Sequence, residues 1–263
     1  MILKQGIRES VKNWPDILAN ITKTEKENKI NYAYHAGWAD GDGCLKPDSY
    51  SLKITEENPV YNLANAFLTS VYLTTPEKRK GHGDPTNPRK NTILSGKRYK
   101  YFTHKIMPFL MEKRNQGYKL LKKFNLFKKD YTYLEYSYDE FSAYLAGFTE
   151  AEGSFYDGCT KKGKQNFKYG WSVSNTNKSL LSTLKRLIKK NYNVDCKVVL
   201  QSKGGKNQKF SNQSEQKVNR KDRYSIHIHG KNSLPLAKAL YPYLMIPYKK
   251  EKCKNLIEHK FKR

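Results

Sequence analysis

Two segments of this 263-residue chain repeat each other, and the repeat governs what the chain can fold into. Tyr34-His35-Ala36-Gly37-Trp38-Ala39-Asp40-Gly41-Asp42-Gly43 and Tyr144-Leu145-Ala146-Gly147-Phe148-Thr149-Glu150-Ala151-Glu152-Gly153 share the pattern Y-x-A-G-[aromatic]-x-[acid]-[small]-[acid]-G. Each reads as a helix with an Ala-Gly step that permits close packing, stopped by glycine. The duplication predicts two related halves that meet along the Ala-Gly faces of the two helices. Each helix also ends on a carboxylate, Asp42 or Glu152. The helix macrodipole already presents partial negative charge there, so the placement is unfavourable by up to about 1 kcal/mol. Two such carboxylates brought together require a cation. Mg2+ suits oxygen ligands drawn from few carboxylates together with phosphate and water. Asp40 and Glu150 lie on another face of each helix and read as structural or supporting groups rather than ligands.

Charge names the partner class. Lys and Arg total 50 against 24 Asp and Glu, a formal charge of +26. Such an excess repels itself in a compact fold unless a polyanion is the normal partner, and nucleic acid leads over an anionic membrane or an acidic protein. The 20 tyrosines fit nucleic-acid contacts, and equally fit strands and cores. No window approaches the roughly 20 apolar residues of a membrane span, and the first thirty residues show no signal or transit peptide. Cys44, Cys159, Cys196 and Cys253 lack C-x-x-C spacing, which favours free thiols in a reducing interior over disulfides or zinc. The bias toward Lys, Asn, Tyr and Ile is that of AT-rich coding and leans toward an organelle genome, chloroplast or mitochondrial.

The rest of the chain repeats around the motifs. Residues 1–29 read as a polar extension with a short helix near Trp14 to Ile21. The first unit, 30–127, has its motif helix from Asn31, a strand with alternating Tyr50, Leu52 and Ile54, and a helix over Val60 to Leu73. A polar loop at Pro76 to Lys90, a strand at Ile93 to Phe102, and helices at His104 to Leu110 and Lys113 to Phe127 follow. Residues 128–139 serve as linker. The second unit, 140–263, has its motif helix at Glu140 to Ala151, strands at Ser154 to Thr160 and Phe167 to Ser174, and a helix at Lys178 to Asn191. A strand at Val194 to Gln201, a long polar loop at Ser202 to Asn219 and a strand at Arg223 to His229 come next. Helices near Leu234 to Leu240 and Lys249 to Phe261 close it. The order in each half is α-β-β-α-β-β-α.

The two motif segments resemble the signature of the LAGLIDADG homing endonucleases in their single-chain, two-motif form, and the layout matches from about residue 31 onward. The resemblance implies an α+β fold: two pseudo-twofold-related units, saddle-like antiparallel sheets for DNA, and the motif helices packed at the interface. It implies that the last acid of each motif binds metal, helped by the carbonyl of the preceding small residue. Carried over, the metal residues are Asp42 with Gly41, and Glu152 with Ala151. The ion is Mg2+, with Mn2+ or Ca2+ able to occupy the same sites. His35 departs from the usual leucine, and Cys44 stands where the second motif has the commoner Ser154. The family also places a lysine after a P-[aromatic]-L segment in each half. Pro108-Phe109-Leu110 leads to Lys113, and Pro242-Tyr243-Leu244 leads to Lys249 or Lys250. Lys113 precedes Leu120 and Leu121 by the offsets that separate Lys249 from Leu256 and Ile257, which favours Lys249. Either lysine could stabilise charge on a phosphate or tune an attacking water.

A strand of about ten residues spans roughly 33 Å, close to one turn of duplex, so two halves would cover about 20 base pairs of an asymmetric site. The strand face away from the core nominates Lys46, Ser51, Lys53, Arg98 and Lys100 in the first half. In the second it nominates Lys168, Ser172, Lys197, Gln201, Lys203, Arg223, Ser225 and His227. Any one of these is as well explained by a phosphate contact as by base reading. The expectation is a monomeric, intron-encoded endonuclease that cuts both strands of double-stranded DNA. Its rivals are an RNA maturase acting on intron RNA and a non-catalytic DNA-binding regulator of the same fold.

Overall fold

A computed structural model describes residues 25–46, 51–56, 90–95, 102–126, 135–157, 169–208, 218–259 and 261. In the first half, α1 (Glu25–Gly41) runs into β1 (Cys44–Lys46), followed by β2 (Ser51–Glu56) and β3 (Lys90–Ser95). The three strands form an antiparallel sheet of order β1-β2-β3. Backbone register pairs Leu45 with Leu52 and Leu52 with Leu94, and Leu45 is buried. A helical segment over 102–106, a 3-10 turn at Met107–Phe109 and α2 (Arg114–Lys123) complete the described part of this half.

The second half holds α3 (Tyr138–Glu152), β4 (Gly153–Asp157), β5 (Tyr169–Asn175), α4 (Lys178–Tyr192) and β6 (Val198–Ser202). Next come β7 (Gly205–Gln208), β8 (Val218–Arg220), β9 (Arg223–His229), α5 (Leu234–Leu240) and α6 (Pro247–Glu258). Its main sheet has the order β4-β5-β9-β6, all antiparallel. Pairing of Phe155 with Trp171, Trp171 with Ile228 and Val173 with Ile226 puts the large apolar residues on one face, where all are buried. Helix α4 buries Leu180, Leu181, Leu184, Ile188 and Tyr192, the spacing of one helical stripe. Asn177 caps its start by accepting from the Leu180 N–H at 3.1 Å, and Asn193 ends it in the left-handed region.

The halves meet where α1 packs along α3. A Cβ at Gly37 would overlap the Tyr144 carbonyl oxygen, and one at Gly147 would overlap the Tyr34 carbonyl oxygen. Only glycine lets the two backbones approach this closely, and the requirement is reciprocal. Ser137 and Glu140 form a capping box that fixes the entry of α3, with Ser137 N–H to Glu140 Oε2 at 2.8 Å.

The structure differs from the sequence expectations in several places. Helix α1 begins at Glu25, within the stretch read as an extension. The described part of β3 is Lys90–Ser95, and residues 96–101 of the expected strand lie outside the described residues; Phe102, expected at its end, is buried in the helical segment 102–106. The polar loop at Ser202 to Asn219 carries an antiparallel ribbon, β7 paired with β8. Such a ribbon is held by backbone hydrogen bonds and needs no apolar face, so periodicity gives no sign of it. β6 begins at Val198 rather than Val194, and α2 spans only Arg114–Lys123. The helices expected at Trp14 to Ile21 and Val60 to Leu73 lie outside the described residues. Among the described residues no helix is long and apolar enough to cross a membrane.

Candidate functional site

The C-terminal ends of α1 and α3 touch. A Cβ at Gly41 would overlap the Ala151 side chain and lie 3.2 Å from Glu152 Cγ. Asp42 follows directly and is exposed, while Glu152 is half-buried. Glu152 makes no hydrogen bond among the described residues; burial raises its pKa, against the opposing pull of Arg223, Lys113 and Lys249. Among the described residues no group of three or more His, Cys, Asp or Glu side chains could hold a metal ion. The helix ends offer the Asp42 and Glu152 carboxylates and backbone carbonyls, with the Glu112 carboxylate, which accepts from Asn175 Nδ2 at 3.3 Å, close enough to feel the charges of Lys113, Asp40 and Glu152.

Asp40 and Glu150 do different work from the acids two residues on. Both are buried. Asp40 accepts from the backbone N–H of Met111 at 2.7 Å and of Lys113 at 2.8 Å. Glu150 accepts from the N–H of Met245 at 2.8 Å and of Ile246 at 2.6 Å. Each acid thus clamps the segment that follows the P-[aromatic]-L turn of its own half. Burial raises the pKa of Asp40, and raises that of Glu150 to about 7, with the hydrogen bonds opposing the shift in both.

The clamped segments deliver a lysine to each helix end. Lys113 Nζ donates to the carbonyls of Asp40 at 2.5 Å and Gly41 at 3.3 Å. Lys249 Nζ donates to those of Glu150 at 2.5 Å, Gly153 at 3.1 Å and Thr149 at 3.2 Å. The carbonyls of Asp40, Gly41 and Glu150 belong to the last helical turns, that of Thr149 already takes the Gly153 N–H, and Gly153 opens β4; an ammonium at either helix end also opposes the dipole. Lys250 lies instead over the Tyr241 ring, 5.3 Å from its centroid. Lys249 is therefore the counterpart of Lys113.

Sequence reasoning assigned no role to Tyr34 and Tyr144. The Tyr144 hydroxyl donates to Asp40 Oδ2 at 2.8 Å, and the Tyr34 hydroxyl donates to Glu150 Oε2. Their signal was a tyrosine at the same offset in both repeats. Two nitrogens of His35, Nδ1 and Nε2, are buried without a hydrogen-bond partner among the described residues. The ring packs edge-on against Tyr34 and Phe102, and burial lowers its pKa to about 4.

The outer face of the second sheet is polar. Gln201 on β6, Arg223 at the start of β9, and Lys197 and Lys203 flanking β6 are exposed, and His227 is partly so. Ser172 and Ser225 were expected on an exposed face; both are buried. Their small side chains lie between larger neighbours, with Ser172 Oγ 2.6 Å from Tyr156 Oη and Ser225 Oγ 2.9 Å from His227 Nε2. Val199, which pairs with Ser225, is 43% exposed and was not anticipated. In the first sheet, backbone register pairs Lys46 with Ser51 and Cys44 with Lys53. Arg98, Lys100 and Lys168 lie outside the described residues.

No protein-family profile matches the sequence, and comparison with curated proteins finds no relative. Solved structures do match. The meganuclease I-SmaMI, bound to uncleaveable DNA with a TTCT central four, aligns at a TM-score of 0.52 and 12% identity, over 87% of this chain and 89% of that one. The homing endonuclease I-WcaI, bound to its DNA recognition sequence, aligns at 0.47 and 14% identity over 86% of each chain. The N-terminal LAGLIDADG domain of DUF199/WhiA aligns at 0.45 and 11% identity over 81% of each. The fold is that of the two-motif LAGLIDADG proteins: paired α+β units with the motif helices packed at their junction.

Proposed function

We propose that this protein is a site-specific DNA endonuclease, encoded within a mobile intron, that makes a double-strand break in an asymmetric target of about 20 base pairs. One observation carries the reading: both halves set an acid at the end of the motif helix and a lysine against that helix end. A purely structural helix end has no need of an acid there, and none is expected twice. The charge of +26 supplies the phosphate contacts, and the I-SmaMI structure that shares this fold is a DNA complex.

Asp42 and Glu152, with the carbonyls of Gly41 and Ala151, are the groups that would hold Mg2+, or Mn2+ or Ca2+ in its place. The fit is chemical: all are hard oxygen donors, and the half-buried Glu152 carboxylate has no hydrogen bond among the described residues. The ion, when bound, supplies Lewis-acid stabilisation of the phosphodiester and a more acidic water. Lys113 and Lys249 place positive charge where the cleaved phosphate gathers negative charge. Arg223, whose charge already acts on Glu152, holds a neighbouring stretch of backbone phosphate.

The test is a randomised duplex library selected for cleavage with Mg2+, followed by Asp42→Asn and Glu152→Gln. Each variant is expected to retain DNA binding and to lose double-strand cleavage by more than about a hundredfold. Cutting by the double variant at the wild-type rate would overturn the mechanism. A wild-type protein that binds a selected site and never cuts it would make this a DNA-binding relative instead.

A further inference from the structure

The hydrogen bonds at the seam cross between the halves. Tyr144, on α3, holds Asp40 of the first half at 2.8 Å; Tyr34, on α1, holds Glu150 of the second. Asp40 in turn fixes the backbone of Met111 and Lys113, and Lys113 Nζ reaches the carbonyls of Asp40 and Gly41, next to Asp42. Glu150 fixes Met245 and Ile246, whose carbonyl takes the Lys249 N–H at 3.1 Å, and Lys249 Nζ reaches the carbonyls flanking Glu152. Each lysine is thus placed by a relay that starts on the other half.

Taken with the nuclease reading above, we infer that Tyr34 and Tyr144 are crossed positioning residues: Tyr34 serves the Glu152–Lys249 centre and Tyr144 the Asp42–Lys113 centre. A purely local arrangement would take the third donor for each acid from its own unit. The seam takes it from the neighbouring unit, twice and reciprocally, over separations of 104 and 116 residues. The buried phenol is a rigid donor with one rotor, and a carboxyl oxygen can accept from it whether or not the acid is ionised. Its loss loosens one acid, hence one clamped segment, hence one lysine. Two centres that must each cut one strand are by this means tied to a single, correctly packed seam.

The variants are Tyr34→Phe and Tyr144→Phe, which keep the ring and delete only the hydroxyl. Two measurements are made on the full chain. In the first, amine acylation at limiting reagent is followed by peptide mass spectrometry, which needs no nuclease activity. Tyr34→Phe should raise modification of Lys249 by about threefold with Lys113 unchanged, and Tyr144→Phe should do the reverse. The untouched lysine serves as the folding control, since general loosening exposes both. In the second, a selected target labelled separately on each strand is cut with Mg2+. Each variant should slow one strand by about tenfold relative to the other, and the two variants should spare opposite strands. Unchanged labelling in both variants, or equal slowing of both strands, overturns the crossed relay. A wild-type protein that cuts no site overturns the nuclease reading and the strand assignment, and the labelling result still decides the coupling.

Discussion

At the start of the seam the first half carries His35 where the second carries Leu145, and both side chains are buried. Farther along, Asp40 spreads two oxygens over the N–H groups of Met111 and Lys113, whereas Glu150 uses one oxygen for the consecutive N–H groups of Met245 and Ile246. The extra methylene of glutamate accompanies a different bite on the same kind of segment. At the helix ends, Lys113 is half-exposed and meets two carbonyls, while Lys249 is buried and meets three. What the halves share is backbone-level: glycine against carbonyl, acid against N–H, ammonium against helix end. Side-chain identity has drifted wherever those contacts allow it.

The largest effect should come from the contact that tolerates no drift. Gly37→Ala and Gly147→Ala each push a methyl group into a carbonyl oxygen of the opposing helix. Because that obstacle is backbone, the helices must separate, and each variant should lose about 3 kcal/mol or more in urea unfolding. If the pseudo-twofold seam is real, the two losses should agree closely. A large loss at one glycine and none at the other would break the symmetry.

This seam was legible in the sequence because it is local and repeated: small residues at fixed offsets, an aromatic, an acid, a glycine. The second sheet was legible as well, since Trp171, Val173, Ile226 and Ile228 alternate with polar residues, and β9 falls at Arg223–His229 as expected. The roles of Tyr34 and Tyr144 were not, because each partner lies across the seam and no local pattern encodes a bond between halves. Nor was the burial of Ser172 and Ser225, which depends on the size of their neighbours rather than on strand phase. The β7–β8 ribbon escaped for a third reason: its segments lack the apolar alternation that a sheet against a core imposes.

His35 sharpens the comparison next. Its folded pKa of about 4 lies below the ordinary value of 6.5 because burial strips water from the charged ring, which has no hydrogen-bond partner among the described residues. Between those values the unfolded chain binds the proton and the folded chain does not, so stability falls as pH drops through that window. The contribution is fully present above pH 6.5 and lost at about pH 4, a change of about 3 kcal/mol. Glu150, raised to about 7, works in the opposite sense: its contribution is present below pH 4.5 and is lost as pH rises toward 7. That term is common to wild type and variant. The difference between His35→Leu and wild type therefore isolates the histidine, and the variant's relative stability should be greatest near pH 4 and decline as pH rises to 6.5. A pH-independent difference would mean that the ring is solvated.

The smallest effect separates the lysines by burial. Lys249→Met removes a buried ammonium and leaves three carbonyls with one donor fewer, while Lys113→Met removes a half-exposed ammonium and leaves two, the buried one of Asp40 and that of the partly exposed Gly41. Orphaned buried acceptors are expensive and solvated ones are not. Lys249→Met should therefore lose about 2 kcal/mol of stability in urea unfolding and Lys113→Met about 1 kcal/mol or less. The proposed chemistry predicts no such imbalance for cleavage: at temperatures where both variants are folded, each should slow its own strand to a similar degree. If instead the loss of cleavage tracks the loss of stability, Lys249 is a fastener for the end of α3 and only Lys113 remains a candidate for the reaction.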